Sequence, residues 1–388
     1  MSVWLVFTLC GVLSLLAAMH LQQKFRTLKL DSSWERLIWT WRLNRSGYSF
    51  PQVMDDWINE EFEPSKQEAI MNTWDFLRPF FTTRGYTLYK RRNLVLTPET
   101  FPKPTALQSY PYARRVASDS ALTIHMISTR VWGARDKSGR DVIIKLVSEA
   151  STPSDELKAL RFLNNKEMRS DPRNHTIPML ELLKFDNFIF AVMPKWDYAV
   201  VPDFSMVSEL MEFAKAMLEV LEFLHEHHIA HGDLISQNIG MNVLYTRHDF
   251  PKGLRNPGEV RYAVYDFDNT LLFPSNVEKE NIQVTRSIVF EFGPNPSGPY
   301  NPFKADVLQL GMTLQTRIRH IEDTVPEIGP FFDYMLDSDE AKRPTARDAH
   351  MRFLEIYRGL SSAQLEAEVT YHLWKNGKRI RKRNLLAT

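Results

Sequence analysis

The most informative stretch of the chain is His231-Gly232-Asp233-Leu234-Ile235-Ser236-Gln237-Asn238, which follows a run of helical spacing and precedes the apolar Ile239 to Leu244. Asp266, in Tyr265-Asp266-Phe267-Asp268, comes twenty-eight residues after Asn238, behind the short run Tyr262 to Val264. Upstream, Lys145 closes the β-branched run Val142-Ile143-Ile144. A cation on phosphates, an amide and a carboxylate on Mg²⁺, and a second carboxylate near an attacking hydroxyl are the parts that phosphoryl transfer needs. Mg²⁺ takes hard oxygen ligands in an octahedron, so Asn238 and Asp266 can share it with phosphate oxygens. Asp233, five residues before Asn238 on the same loop, is then the carboxylate that faces the hydroxyl.

The elements that must position these groups follow from periodicity. Leu122 to Val131 and Asp141 to Val147 flank the turn signal Asp136-Lys137-Ser138-Gly139-Arg140, which predicts a hairpin. Ser154 is a cap for a helix starting at Asp155, and Ile177 to Leu183 and Phe188 to Met193 read as two more strands. After Pro202 the pattern turns helical, with Leu210, Phe213, Met217, Leu218, Leu221 and Leu224 on one long buried face. Near the start, Trp34, Leu37, Ile38 and Trp41, then Trp57, Ile58, Ile70, Trp74, Leu77 and Phe81, predict helices whose aromatic stripe packs or docks rather than holding a ligand. The proline-bearing stretch 93 to 112 reads as an extended linker.

Composition narrows the classes. The 48 basic and 47 acidic residues of this 388-residue chain leave a net charge of +1, which excludes a nucleic-acid-coating protein, and no nucleic acid partner is expected. A lone cysteine, Cys10, excludes a disulfide framework and a Cys-based zinc site. Val3 to Met19 carries no charge and as a helix would span about 26 Å of a hydrocarbon core near 30 Å. Lys24, Arg26 and Lys29 follow it, so the expectation is a single-pass membrane anchor with the rest of the chain facing the cytosol. The rival reading is a cleaved signal peptide, with Ala17 and Ala18 near the cut, although the charged n-region is missing. The basic run Lys375, Lys378, Arg379, Arg381, Lys382 and Arg383 reads first as a solvated tail, with anionic lipid as the alternative contact.

With these residues in place, positions 112 to 356, about two thirds of the chain, resemble the eukaryotic protein-kinase domain. More narrowly, they are similar to a fungal, basidiomycete-type family of kinase-like proteins. Ser170-Asp171-Pro172-Arg173-Asn174-His175, the run from Phe223 to His231, and Tyr300-Asn301-Pro302-Phe303-Lys304-Ala305-Asp306 carry the narrower match, as does Trp74 to Tyr86 upstream. The resemblance implies that Lys145 holds the α and β phosphates of ATP, paired with Glu156, and that Met193 and Pro194 hold adenine through backbone groups. It implies catalysis at Asp233 and metal ligation by Asn238 and Asp266. Asp306 matches the buried aspartate beneath the catalytic loop, and Arg343-Pro344-Thr345 the C-terminal arginine motif.

Four positions depart from that pattern. Val116 to Thr123 has no glycine where a phosphate-covering loop is expected. Asp268 stands in the glycine position of Asp-Phe-Gly, and Ile235 stands where a lysine is common. No glutamate matches the expected partner of Arg343, and Glu291 serves only with a shifted loop. His-Gly-Asp and Asp-Phe-Asp also occur in aminoglycoside- and choline-type phosphotransferases.

The resulting expectation is an α+β, bilobal protein-kinase-like fold: a small antiparallel sheet lobe with one helix, a larger helical lobe, an N-terminal transmembrane helix and a helical extension. The divisions are an anchor at 1–22, an extension and linker at 23–111, the kinase-like domain at 112–360 and a basic tail at 361–388. The expected activity is ATP- and Mg²⁺-dependent phosphorylation of a protein hydroxyl, of Ser/Thr rather than Tyr type. A catalytically weak pseudokinase serving as a binding module and a small-molecule phosphotransferase stay open as alternatives.

Overall fold

The structure, a computed structural model, describes residues 28–381 except 31, 60, 62, 94, 106–108, 117, 119–121, 126–127, 246–253, 257, 289–294, 297 and 370–371. Two helices open it, α1 (Ser33–Ser46) and α2 (Pro64–Thr83). A five-stranded sheet follows, built from β1 (Tyr86–Leu88), β2 (Val131–Asp136), β3 (Asp141–Glu149), β4 (Glu181–Phe185) and β5 (Phe188–Pro194). Its order is β1-β2-β3-β5-β4 with every pair antiparallel. Between β3 and β4 runs α3 (Asp155–Leu163), capped as expected by Ser154, whose side chain accepts from Leu157 N.

The remainder is mainly helical: α4 (Val207–Glu226), α5 (Pro302–Ile318), α6 (Ile328–Met335) and α7 (Ala346–Gly359). The predicted α4 face is buried throughout, Leu210, Phe213, Met217, Leu218, Leu221 and Leu224 all having no exposure. Two short strands, β6 (Ile239–Met241) and β7 (Tyr262–Val264), pair antiparallel beside it.

The expected fold class is corrected. The chain is mixed α/β, with a curled antiparallel sheet of five strands rather than a small sheet carrying one helix. The physical reason is that the sheet takes its edge strand β1 and its outer cover from the extension. On β3 and β5, side chains alternate between two faces. Val142, Ile144, Leu146, Phe188, Phe190 and Val192 join one core with Trp57, Trp74, Phe80 and Phe81 of the extension, while Ile189, Ala191 and Met193 join the core of the helical part. Trp74 stacks on Trp132 at 5.4 Å and meets Phe190 edge-on at 5.6 Å, and its Nε1 donates to the Thr129 carbonyl at 2.9 Å. Burying each such ring contributes about 2–3 kcal/mol, so the sheet depends on α2 for much of its core.

The membrane expectations are corrected as well. Among the described residues no helix is long and apolar enough to cross a membrane, so the single-pass localisation has no structural support. Val3 to Met19, where the anchor was expected, lies outside the described residues. Three further expectations change. The hairpin pairs β2 with β3, while Ile124–His125 joins a separate sheet with Val95–Thr97. Trp34, Leu37, Ile38 and Trp41 face solvent, and α1 docks instead through Trp39 and Leu43. Residues His372–Lys375 and Lys378–Arg381 form a hairpin, with Trp374 under the Arg319 guanidinium, where a tail was expected.

Besides the Thr176–Ile177 passage, which pairs with Val264 of β7 on its way into β4, two links tie the sheet to the helical part. One is the chain after β5, through Lys195 and Trp196 to the strand Asp197–Tyr198, which pairs with β6. The other is the linker strand Arg114–Arg115, which pairs parallel with Val243–Leu244 through Arg114 N to Asn242 O at 2.7 Å and Val116 N to Leu244 O at 2.8 Å.

Candidate active site

Lys145 lies between Ile144 and Leu146, which point into the aromatic core, so the two-residue period of β3 turns the lysine to the opposite face. There it meets α3. Its Nζ donates to Glu156 Oε1 at 2.6 Å and to Asp266 Oδ1 at 2.5 Å. Burial opposes the ammonium charge, but the two carboxylates outweigh it and hold the lysine above its ordinary value. Glu156 Oε2 is buried and has no hydrogen-bond partner among the described residues.

The pairing of β6 with β7 brings Ile239 opposite Val264, which sets Asn238 and Asp266 at the same end of the ladder. Tyr265 fixes this end: its N donates to the Asn238 carbonyl at 3.0 Å and its hydroxyl to the Gln237 carbonyl at 2.9 Å. Asp266 then adopts φ 67°, a left-handed conformation that costs a non-glycine residue about 1 kcal/mol and turns its carboxylate onto Lys145. Burial raises the Asp266 pKa, the adjacent Lys145 ammonium lowers it by more, and the net direction is down from the ordinary carboxylate value.

Asp233 faces the same end. Asn238 Nδ2 donates to the Asp233 carbonyl at 3.0 Å and to its Oδ2 at 2.8 Å, so the amide oxygen is the atom left for a cation. Burial and then the Asp266 charge push the Asp233 carboxyl up to about 6. The loop is seated on α5: Asp306, fully buried, accepts from His231 N at 2.7 Å, Gly232 N at 2.8 Å and His225 Nε2 at 3.1 Å. Gln309 Oε1 accepts from Leu234 N at 2.9 Å and Thr313 Oγ1 donates to the Leu234 carbonyl at 3.1 Å, which extends the support.

Lys145, Glu156 and Asp266 therefore form one bonded set and Asn238 and Asp233 another, and the Tyr265 N to Asn238 O bond sets the two side by side as one cluster. Met193 and Pro194 are separate from it, still inside the sheet and paired with Ile143 and Val142, with the ladder ending at Lys195 N to Asp141 O, 3.0 Å. Arg343 donates to the carbonyl of Asp337 at 2.7 Å, while Glu291 and half of the glycine-free loop lie outside the described residues. A cavity of about 360 Å³ lined by Arg169, His175, Glu219 and Arg261 contains none of the cluster.

Sequence reasoning missed Arg130. Its guanidinium forms a two-point ion pair with Asp268, Nη1 to Oδ1 at 3.0 Å and Nη2 to Oδ2 closer still. In sequence it lies inside the predicted strand run Leu122 to Val131, and nothing there marks it.

The oxygen donors suit Mg²⁺. One amide oxygen and one carboxylate are the hard ligands that ion accepts when phosphates and water complete its shell. Asp266, Asp268 and Glu156 pair with the two cations Lys145 and Arg130, while burial pushes Glu156 up to about 7 and Asp233 up to about 6. No group of three or more His, Cys, Asp or Glu among the described residues forms a metal site of its own. The chain matches no family model, and no curated protein matches it.

Proposed function

We propose that this chain is an ATP-dependent phosphotransferase whose acceptor is a protein hydroxyl. The observation that carries the reading is this cluster: a buried lysine held by two carboxylates, one of them Asp266, beside an Asn238–Asp233 pair on a loop anchored to α5.

Lys145 binds phosphate oxygens of ATP, and Glu156 keeps its ammonium in place. Asn238 and Asp266 would hold Mg²⁺, which when bound neutralises phosphate charge. The acceptor oxygen attacks the γ-phosphorus, the bond from that phosphorus to the β-phosphate bridging oxygen breaks, and ADP leaves. Asp233 takes the hydroxyl proton. Its carboxyl, raised to about 6, is a stronger base than an ordinary aspartate and is still ionised at neutral pH.

The test is incubation of the full-length chain with γ-labelled ATP, Mg²⁺ and a panel of protein acceptors, beside Asp233→Asn and Lys145→Met. Transfer by the wild type, abolished in Asp233→Asn, supports the reading. Absence of both a nucleotide-dependent thermal shift and phosphate transfer overturns it, and transfer only to amino alcohols or aminoglycosides moves the acceptor to a small molecule.

A further inference from the structure

Beside the cluster stands a cation whose partner is an exposed carboxylate. Arg130 precedes β2, and its carbonyl accepts Leu146 N at 2.9 Å, so it is fixed next to the Lys145 strand. Its side chain is 12% exposed while that of Asp268, its partner, is 42% exposed. The guanidinium is thus the anchored member of the pair and the carboxylate the one with room to leave. Lys145 is differently placed, because both of its carboxylates belong to the machinery itself.

A guanidinium binds carboxylate and phosphate through the same planar two-point geometry. Residues 116–123 hold no glycine to bring backbone amides close to a phosphate, and Ile235 carries no charge, which leaves Lys145 as the one cation so far assigned to the phosphates. Resting on the phosphotransferase reading, we infer that Arg130 is a nucleotide-phosphate-binding residue, and that Asp268 is a stand-in which the phosphates of ATP displace.

This makes a prediction of sign that a bracing role does not. If Arg130 and Asp268 merely hold the sheet against the loop after β7, removing either weakens nucleotide binding alike. If Asp268 competes with phosphate, removing it tightens binding.

Titration calorimetry of the full-length chain with ATP, ADP and adenosine in Mg²⁺ distinguishes these. Arg130→Gln is expected to lose at least tenfold in ATP affinity while adenosine binding stays within twofold. Asp268→Asn is expected to gain threefold or more in ATP affinity, and Arg130→Lys to recover part of the loss. Equal weakening in Arg130→Gln and Asp268→Asn, or an ATP affinity unaltered in Arg130→Gln, overturns the inference while leaving the phosphotransferase reading intact. A wild type that binds no nucleotide removes both, and circular dichroism of each variant separates misfolding from lost affinity.

Discussion

Asp306 on α5 accepts the backbone amides of His231 and Gly232 through its two carboxylate oxygens, at 2.7 and 2.8 Å, across more than seventy residues of sequence. A fully buried carboxylate is thereby paired with the backbone of the loop that carries Asp233 as well as with the His225 ring. The loop's position is a property of the helix beneath it.

Asp306→Ala leaves two amides and the His225 ring without an acceptor, and the expected loss is about 3 kcal/mol in urea unfolding. Asp306→Asn keeps one acceptor oxygen and should lose about half as much. An alanine variant as stable as the wild type contradicts the anchoring.

Gly232 has φ +75°, and a Cβ there would lie 2.6 Å from the Asn269 carbonyl oxygen, a backbone atom. Gly232→Ala should therefore cost about 2 kcal/mol or more, from left-handed strain and from the forced shift. Because Asp233 is the next residue, phosphate transfer should fall further than stability does. Wild-type-like unfolding of Gly232→Ala would show that the loop adapts freely.

Asp233 links stability to pH. Its folded value of about 6 exceeds the ordinary 3.8, so between those values the folded chain binds more protons than the unfolded one. Ionising this group costs the fold about 2–3 kcal/mol, a cost absent below pH 4 and complete above pH 6. Asp233→Asn should match the wild type at pH 4 and exceed it in stability at pH 7.5, while being inactive. Parallel stability curves for the two proteins across this range would refute the linkage.

Trp74→Ala empties a buried site between Trp132, Phe81 and Phe190 and removes the bond to the Thr129 carbonyl. The expected cost is about 4 kcal/mol by denaturant midpoint. Since Thr129 adjoins Arg130, nucleotide affinity should drop too. An unchanged midpoint would mean that the extension is not part of the sheet's core.

The candidate site was legible where its residues are close in sequence. Asp233 and Asn238 sit on one loop, and Lys145 and Asp266 each adjoin a short apolar run, so local pattern found them. Arg130 was not legible, because its meaning comes from Asp268, 138 residues away. The five-stranded sheet was hidden for the same reason: pairing of Tyr86–Leu88 with Ala134 to Asp136 leaves no periodic trace. On α1 two apolar faces compete, Trp34, Leu37, Ile38 and Trp41 against Trp39 and Leu43, and nothing local decides which one docks.

The parallel pair Arg114–Arg115 with Val243–Leu244 has a mechanical meaning. Together with the passage through Lys195 and Trp196 and the pairing of Thr176 and Ile177 with Val264, it gives the joint between sheet and helices three pins instead of one. A joint pinned at three separate places resists both swinging and twisting. Lys145 on the sheet and Asp233 on the helical side are thereby kept in register by backbone pairing as well as by their own contacts.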